Sequence, residues 1–580
     1  MKIELVRGAE AARLAEEPAF QAAWRALVAD QPQFALLQAP EFVLPWYQAY
    51  AGLWEPLLVL GRDGDGTLAG LLPLARRVAD GRLAHAGAEQ AEYHGWLVRP
   101  GRDEELLVPA LERLARELPL RAWSWRWLPP GAATGWLGAR ALAAAGLHVL
   151  SEARPAPVWD LGDAEALARH DNRSLRAKRN RYRRRGELVL ERVQDGPRAR
   201  ALLAELAAQC DFRQEAIHGV RPFADDPRKL EFFAQRVARF PAASHFSVLR
   251  CGSEALAFHL GGCDGRTCLL GLSSYAPQES KHSPGTLLLV ELARALAAEG
   301  YRTLDLTPGT DAYKQRYATR QQELVRLRLF GSRTRRLGAR LALRARTWLA
   351  AGAGGEGLAR AERLERWQRG LSGARAALAH GEAGALLAGL SARAFERRTL
   401  ECFTRAPQAP PPPAGAGTRA RLQAFADLTV GANGHASPAR RARLAAALAR
   451  FSDGEVLYTV PVAQELACLG WRAPAPSGDL AEALTAAGWL AQGSELLIVE
   501  RRVERLAGEP EALAECVAAM LAGREVAAAG ATLCLEPPTP DERAALAALG
   551  FQSRGRLRRR RVLGRAPVWS ARPAQAGGAT

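Results

Sequence analysis

The chain has 580 residues, 48% of them hydrophobic and 24% charged, with a formal net charge of +18. That length holds several domains, and the balance is that of folded protein and excludes a disordered chain. No run approaches the roughly 20 apolar residues of a membrane helix, and the charged start MKIELVRGAEAARLAEEP has no apolar signal core, so a cytoplasmic location is expected.

In chain order, Phe20 to Ala29 and Pro40 to Ala51 are predicted helices. Pro56 to Leu60 and Leu68 to Leu74 flank the turn Arg62-Asp63-Gly64-Asp65-Gly66 and read as paired strands. Glu104 to Glu117 has helical apolar spacing. Leu120 to Leu128 is a strand placing Trp123, Trp125 and Trp127 on one face, for core packing or for stacking on a sugar. Ala139 to Ala145 is a helix ending at Gly146.

From residue 151 the order recurs. Glu187 to Val193 is a strand, Arg198 to Gln209 and Pro227 to Arg239 are helices, and His245 to Arg250, Ala255 to Gly261 and Thr267 to Ser274 are strands in meander order. The helix Pro284 to Glu299 stops at Gly300, and strands Thr303 to Leu306 and Glu323 to Phe330 follow. The expected organisation is therefore two tandem α/β domains with mixed sheets, 1–150 and 151–335. A helical segment at 336–405, a Pro-rich linker at 406–417, a C-terminal α/β module at 418–565 and a disordered tail at 566–580 complete it.

The positive charge is nearly all Arg in a chain dense in Ala, Gly and Pro, a pattern of GC-rich coding that places Arg on solvated faces. Nucleic acid is therefore not an expected partner. The run Arg173 to Arg185 contains a single aromatic, Tyr182, and offers no stacking platform for single strands; it reads as a basic face for a phosphorylated or anionic acceptor, RNA or an acidic membrane surface, the acceptor favoured. The eight cysteines show no metal spacing and read as buried reduced thiols, and no metal is expected.

The most informative stretch runs from Gly271 to Tyr317. Ser283-Pro284-Gly285-Thr286 opens a helix with a capping residue and a preset first position. Gly285 lets a ligand approach backbone N–H groups, which together with the helix dipole form an anion site.

Four features resemble the GNAT acyltransferase superfamily, and within it the cellulose-biosynthesis type acetyltransferases, whose tandem layout is similar to that of the FemAB aminoacyltransferases. They are the basic segment Arg173 to Arg179 leading to Gly186; Tyr275 at a strand end before Ser283-Pro284-Gly285; Gly300 before the strand with Asp305; and Gly309 before Tyr313-Lys314. The usual phosphate loop with two spaced glycines is replaced by Ser283-Pro284-Gly285. The resemblance covers about residues 1–335. It implies a mixed sheet with a splayed central pair of strands, the coenzyme lying in the splay. It also implies an acyl-CoA, acetyl-CoA by default, as donor, with exopolysaccharide or cell-envelope precursors as acceptors and polysaccharide-synthesis machinery as partner. An aminoacyl-tRNA-dependent transferase and a non-catalytic scaffold are the rival readings.

Within that frame Ser283, Gly285 and Thr286 are the donor-site residues, with Tyr313 and Lys314 beside them to pair with phosphate. Asp305, pointing away from Leu304 and Leu306, is a base for the attacking group, and Tyr275 an acid for the departing thiolate. His282, next to the phosphate site, is a further base. Arg176, Lys178 and Arg179 are the acceptor-binding residues.

Overall fold

The computed structural model describes residues 1–31, 34–118, 122–138, 140–309, 311–351, 395–406, 419–429, 438–462, 465–491, 494–501, 510–522, 530–562 and 568–574. The mixed α/β fold expected from the sequence is observed. The chain forms two compact units. The first holds Met1–Ala207, Phe223–Ser274 and Pro284–Arg366; the second holds Ala208–Pro222, Tyr275–Ser283 and Trp367–Thr580.

The first unit contains three sheets. An antiparallel sheet runs in the order Lys2–Arg7, Trp54–Arg62, Leu68–Arg77, Leu83–His85, with Leu97–Val98 also paired to Leu68–Arg77. Helices Pro18–Ala29 and Pro40–Ala49 each start on a proline, which has no N–H to leave unpaired there. A second sheet runs Leu272–Tyr275, Glu254–Gly262, Ser244–Cys251, Leu188–Val193. A third runs Thr267–Leu269, Thr303–Asp305, His148–Asp160, Arg320–Phe330, Ala122–Trp125.

The third sheet corrects the boundary expected at residue 150. That position lies inside the strand His148–Asp160, which pairs along Arg320–Phe330, and Arg320–Phe330 pairs in turn with Ala122–Trp125 from the N-terminal half. The halves share one sheet, and one core cluster takes Leu106, Leu111 and Trp125 together with Leu327 and Leu329. Trp123 and Trp125 are buried there, at 4% and 0% exposure, which makes them core and not a sugar platform.

The second unit is built on one sheet in the order Arg421–Leu422, Val456–Val462, Glu465–Ala473, Glu495–Arg501, Ala531–Leu535, Phe395–Arg405, Phe551–Val562, Val568–Pro573. Cys516, Val517, Met520 and Leu546 pack in one core cluster; Phe212, Phe451, Trp471 and Trp489 pack in another. Phe395–Arg405 is a strand where a helical pattern was expected to continue to residue 405, because it pairs between Ala531–Leu535 and Phe551–Val562, with Leu400 and Cys402 buried. Val568–Pro573 is likewise a strand where the tail was expected to be disordered, since it pairs with Phe551–Val562. Residues 407–418 and 575–580, which cover nearly all of the expected linker and the end of the tail, lie outside the described residues. All eight cysteines are buried and unlinked.

Candidate functional site

One strand was expected over Thr267 to Ser274; the chain instead bends at Leu270–Gly271 and serves two sheets. Thr267–Leu269 pairs in parallel with Thr303–Asp305, ending at Leu269 opposite Asp305. The Leu270 N–H donates to the Asp305 carbonyl at 2.7 Å, and the following strand Leu272–Tyr275 joins Glu254–Gly262 in the other sheet. Two strands that begin side by side thus part at Asp305. The crossing needs bare backbone: a Cβ on Gly271 would lie 2.6 Å from the Leu260 carbonyl oxygen, and one on Gly261 would lie 1.9 Å from that of Leu269. The His259 imidazole, buried and neutral because burial lowers its pKa to about 3, donates Nε2–H to the Leu269 oxygen at 2.9 Å and braces the bend.

Asp305 sits at the fork and is 3% exposed. Its Oδ2 accepts from the Tyr93 phenol at 2.6 Å and from Gln322 Nε2 at 2.9 Å, and its Oδ1 accepts from the Thr307 N–H at 2.8 Å. Burial raises its pKa, and these donors oppose the rise. Thr307 has φ of +60°, in the left-handed region. That is costly for a β-branched residue, and doubly so before a proline, which favours extended backbone. Asp305 holds its N–H, and the Lys314 ammonium donates to its Oγ1 at 3.1 Å and to its carbonyl at 3.4 Å. Such strain, about 1–3 kcal/mol, persists where the surroundings over-determine it, and it concentrates at functional sites.

The loop that brings Tyr93 is equally tied down. Gln38 Nε2 donates to the Tyr93 carbonyl at 2.9 Å. His94 accepts the Arg126 N–H on Nδ1 at 3.1 Å, donates from Nε2 to Ala88, and stacks on His85 with centroids 4.9 Å apart. Glu92, next to Tyr93, keeps 24% of its side chain exposed, with Arg126 at 3.8 Å. Burial raises its pKa; Arg126 and Lys314 lower it, and Asp305 raises it. Glu92 and Tyr93 were not singled out from sequence. The signal was Glu92-Tyr93-His94 just before the apolar Trp96 to Val98, in a half of the chain with no motif.

Of the residues singled out, the first unit brings Asp305 and Lys314 together. Lys314 is buried, and desolvation lowers its pKa; Tyr313 beside it is 43% exposed. Gly285 and Thr286 are half-buried in the first turn of the helix Pro284–Ala298. Ser283 departs from the capping geometry expected of it: at φ +52° it is left-handed, not extended, and it ends the 3-10 turn Pro277–His282. Tyr275, His282 and Ser283 fall in the second unit, where the Arg213 guanidinium lies over the Tyr275 ring at 3.7 Å. On the helix Arg173–Arg185, Arg176 is exposed and Lys178 half-buried. Arg179 is taken up by Glu291 at 2.6 Å and Asp171 at 3.2 Å, which ties that helix to Pro284–Ala298. Among the described residues no group of His, Cys, Asp and Glu is placed to hold a metal ion.

Residues 169–315 match the family model described as an acetyltransferase (GNAT) domain. The segment spans the basic helix, the bent strand, the helix at Pro284, Asp305 and Lys314. No curated protein matches the chain. Among solved structures, the C-terminal domain of a putative lysylphosphatidylglycerol synthetase from Agrobacterium fabrum is 14% identical, with 58% of this chain and 98% of that chain covered and a TM-score of 0.33. FemX is 13% identical over 53% and 95%, with a TM-score of 0.30. A GCN5-related N-acetyltransferase from Sphaerobacter thermophilus is 16% identical over 56% and 95%, with a TM-score of 0.24.

Proposed function

We propose that this acyltransferase, whose residues 169–315 match the GNAT acetyltransferase domain model, moves an acetyl group from acetyl-CoA to an amine or hydroxyl of an exopolysaccharide or cell-envelope precursor. The observation that carries the donor reading is the fork at Asp305: two parallel strands part there, and a helix begins on Pro284-Gly285-Thr286 within the matched segment. A parted strand pair admits an extended thiol arm between edges that would otherwise bond each other. The helix start supplies N–H groups and the Thr286 hydroxyl for the pyrophosphate. The acceptor class rests on the sequence resemblance alone.

In the proposed step the acceptor N or O attacks the thioester carbonyl, its proton passes to Glu92, and the C–S bond breaks to release coenzyme A. Glu92 is chosen because its carboxylate reaches solvent and its proton affinity is raised. Asp305 is buried and accepts hydrogen bonds from Tyr93, Gln322 and Thr307, so it acts as a positioning residue for Tyr93 and for the strained Thr307.

Calorimetry with coenzyme A tests the donor. Heat of binding is expected from the native chain, with its loss in Gly285→Val at unchanged melting temperature. Absence of heat from the native chain sinks the acyl-CoA reading; amino-acid transfer from charged tRNA without thiol release from acetyl-CoA favours an aminoacyl donor.

A further inference from the structure

The last two strands of the second unit carry a charge pattern that the acyl-transfer reading does not use. In the antiparallel register of Phe551–Val562 with Val568–Pro573, Arg556 faces Arg572, Arg558 faces Ser570 and Arg560 faces Val568. On the other side Arg556 faces Glu401 and Arg558 faces Thr399. Directly opposed residues share a sheet face, so Arg556, Arg558, Arg560 and Arg572 stand on one face with Ser570 and Thr399. On the opposite face Leu557 is 1% exposed and belongs to the core.

All four arginines are exposed. The acid on this face, Glu401, is already engaged by Arg543 at 2.7 Å, by Ser553 at 3.3 Å and by Arg556 at 3.4 Å. Among the described residues Arg558, Arg560 and Arg572 have no acidic partner. Like charges set directly across a strand pair destabilise it, so the Arg556–Arg572 pair costs the fold stability. Along the strand, residues two apart are about 7 Å apart, which lines three guanidiniums in a straight row beside a fourth.

We propose that this face binds the phosphodiester backbone of a double-helical nucleic acid. Guanidinium forks match phosphate oxygens bidentately, and the neighbouring Ser570 and Thr399 hydroxyls belong to the donor set that phosphates and sugars take. The row itself, Arg556, Arg558, Arg560 and Arg572 with Ser570 and Thr399, includes no aromatic ring, and Phe403 farther along is buried at 3% exposure, so bases of a single strand find nothing to stack on within the row. Among its described side chains Val568 is the lone large exposed apolar one, at 67%, whereas binding at a lipid interface draws on an inserted apolar face. The face lies in the second unit, outside residues 169–315, and its occupancy does not depend on the acyl-transfer reading.

The test uses the full chain with fluorescent 20-base-pair RNA and DNA duplexes of arbitrary sequence, titrated at several salt concentrations. Binding to a duplex is expected, weakening steeply with salt. An Arg558→Ser, Arg560→Ser double variant should lose at least tenfold in affinity, with its log–log salt slope reduced by about 2. Arg558→Lys with Arg560→Lys should recover most of the loss at the same melting temperature. Tighter binding of the RNA duplex identifies RNA as the source of the phosphates; equal binding identifies the backbone alone. Unchanged duplex binding by the double serine variant overturns the proposal. So does loss of sedimentation with phosphatidylglycerol–phosphatidylcholine vesicles in that variant while duplex binding is retained.

Discussion

Burial raises the proton affinity of both Asp305 and Glu92, and the two carboxylates differ in what reaches them. Asp305 is enclosed by three donors, whereas Glu92 is part-exposed. Glu92→Gln is expected to lower kcat by about 100-fold, the scale of a lost general base, with coenzyme A affinity unchanged; a steady-state assay of thiol release checks this. For Asp305 the linkage sign is set by a folded pKa above the unfolded one. Its contribution to stability is full below the ordinary carboxylate pKa and is lost as pH rises through the raised value. Asp305→Asn should therefore flatten the decline of stability above about pH 4, read by urea unfolding across pH, while Tyr93 keeps a hydrogen-bond acceptor. Asp305 and Lys314 were legible in the sequence because a lone acid in an apolar strand and a rare lysine both stand out. Tyr93 and Glu92 were not, because about 210 residues of chain separate Tyr93 from Asp305 (|i−j| = 212) and local pattern carries no information over that distance.

At the scale of elements, the bend at Leu270–Gly271 does more for the site than any single helix. It takes one apolar run and divides it between two sheets, so that its pairing with Thr303–Asp305 stops at Leu269. Gly271→Ala is expected to destabilise the protein by about 1–3 kcal/mol, the cost of forcing a methyl into packed backbone, measured by chemical denaturation. Most helices and strands were legible from periodicity and their stop signals, such as Pro284 at a helix start and Gly300 after its end. The bend was not, since Thr267 to Ser274 reads as one strand around the apolar run Cys268 to Leu272, and the close approach of Gly261 and Leu260 divides it. The strand His148–Asp160 was not legible because Pro155 and Pro157 interrupt it and its middle, Ser151 to Ala156, has no run of apolar residues.

At the scale of the molecule, chain order and compact units disagree. The second unit takes in Ala208–Pro222, far upstream of its sheet. There Glu215 and Arg440 form a buried bidentate pair at 2.5 and 2.9 Å, and Phe212 enters the core beside Phe451. Removing one partner of a buried pair costs about 3–5 kcal/mol. A fragment of residues 367–580 lacks both Glu215 and Phe212, and it is expected to melt without cooperativity or to aggregate; circular dichroism on heating decides, and a sharp transition matching that of the full chain would refute it. The sheet-face arginines at Arg556 to Arg560 belong to this scale also. In sequence they read as compositional bias, and only their register against Arg572 and Ser570 sets them in one exposed row.

The sequence by itself determined most of the helices and strands, the helix start at Pro284, and a pattern similar to acyltransferases of the GNAT superfamily, because periodicity, capping chemistry and short motifs act within a few residues. The fork at Asp305, the phenol of Tyr93 laid against it, the sheet shared between the two N-terminal halves and the arginine row were decided by tertiary structure. Each depends on backbones and side chains from distant parts of the chain meeting at a few ångströms, and no local pattern records that approach.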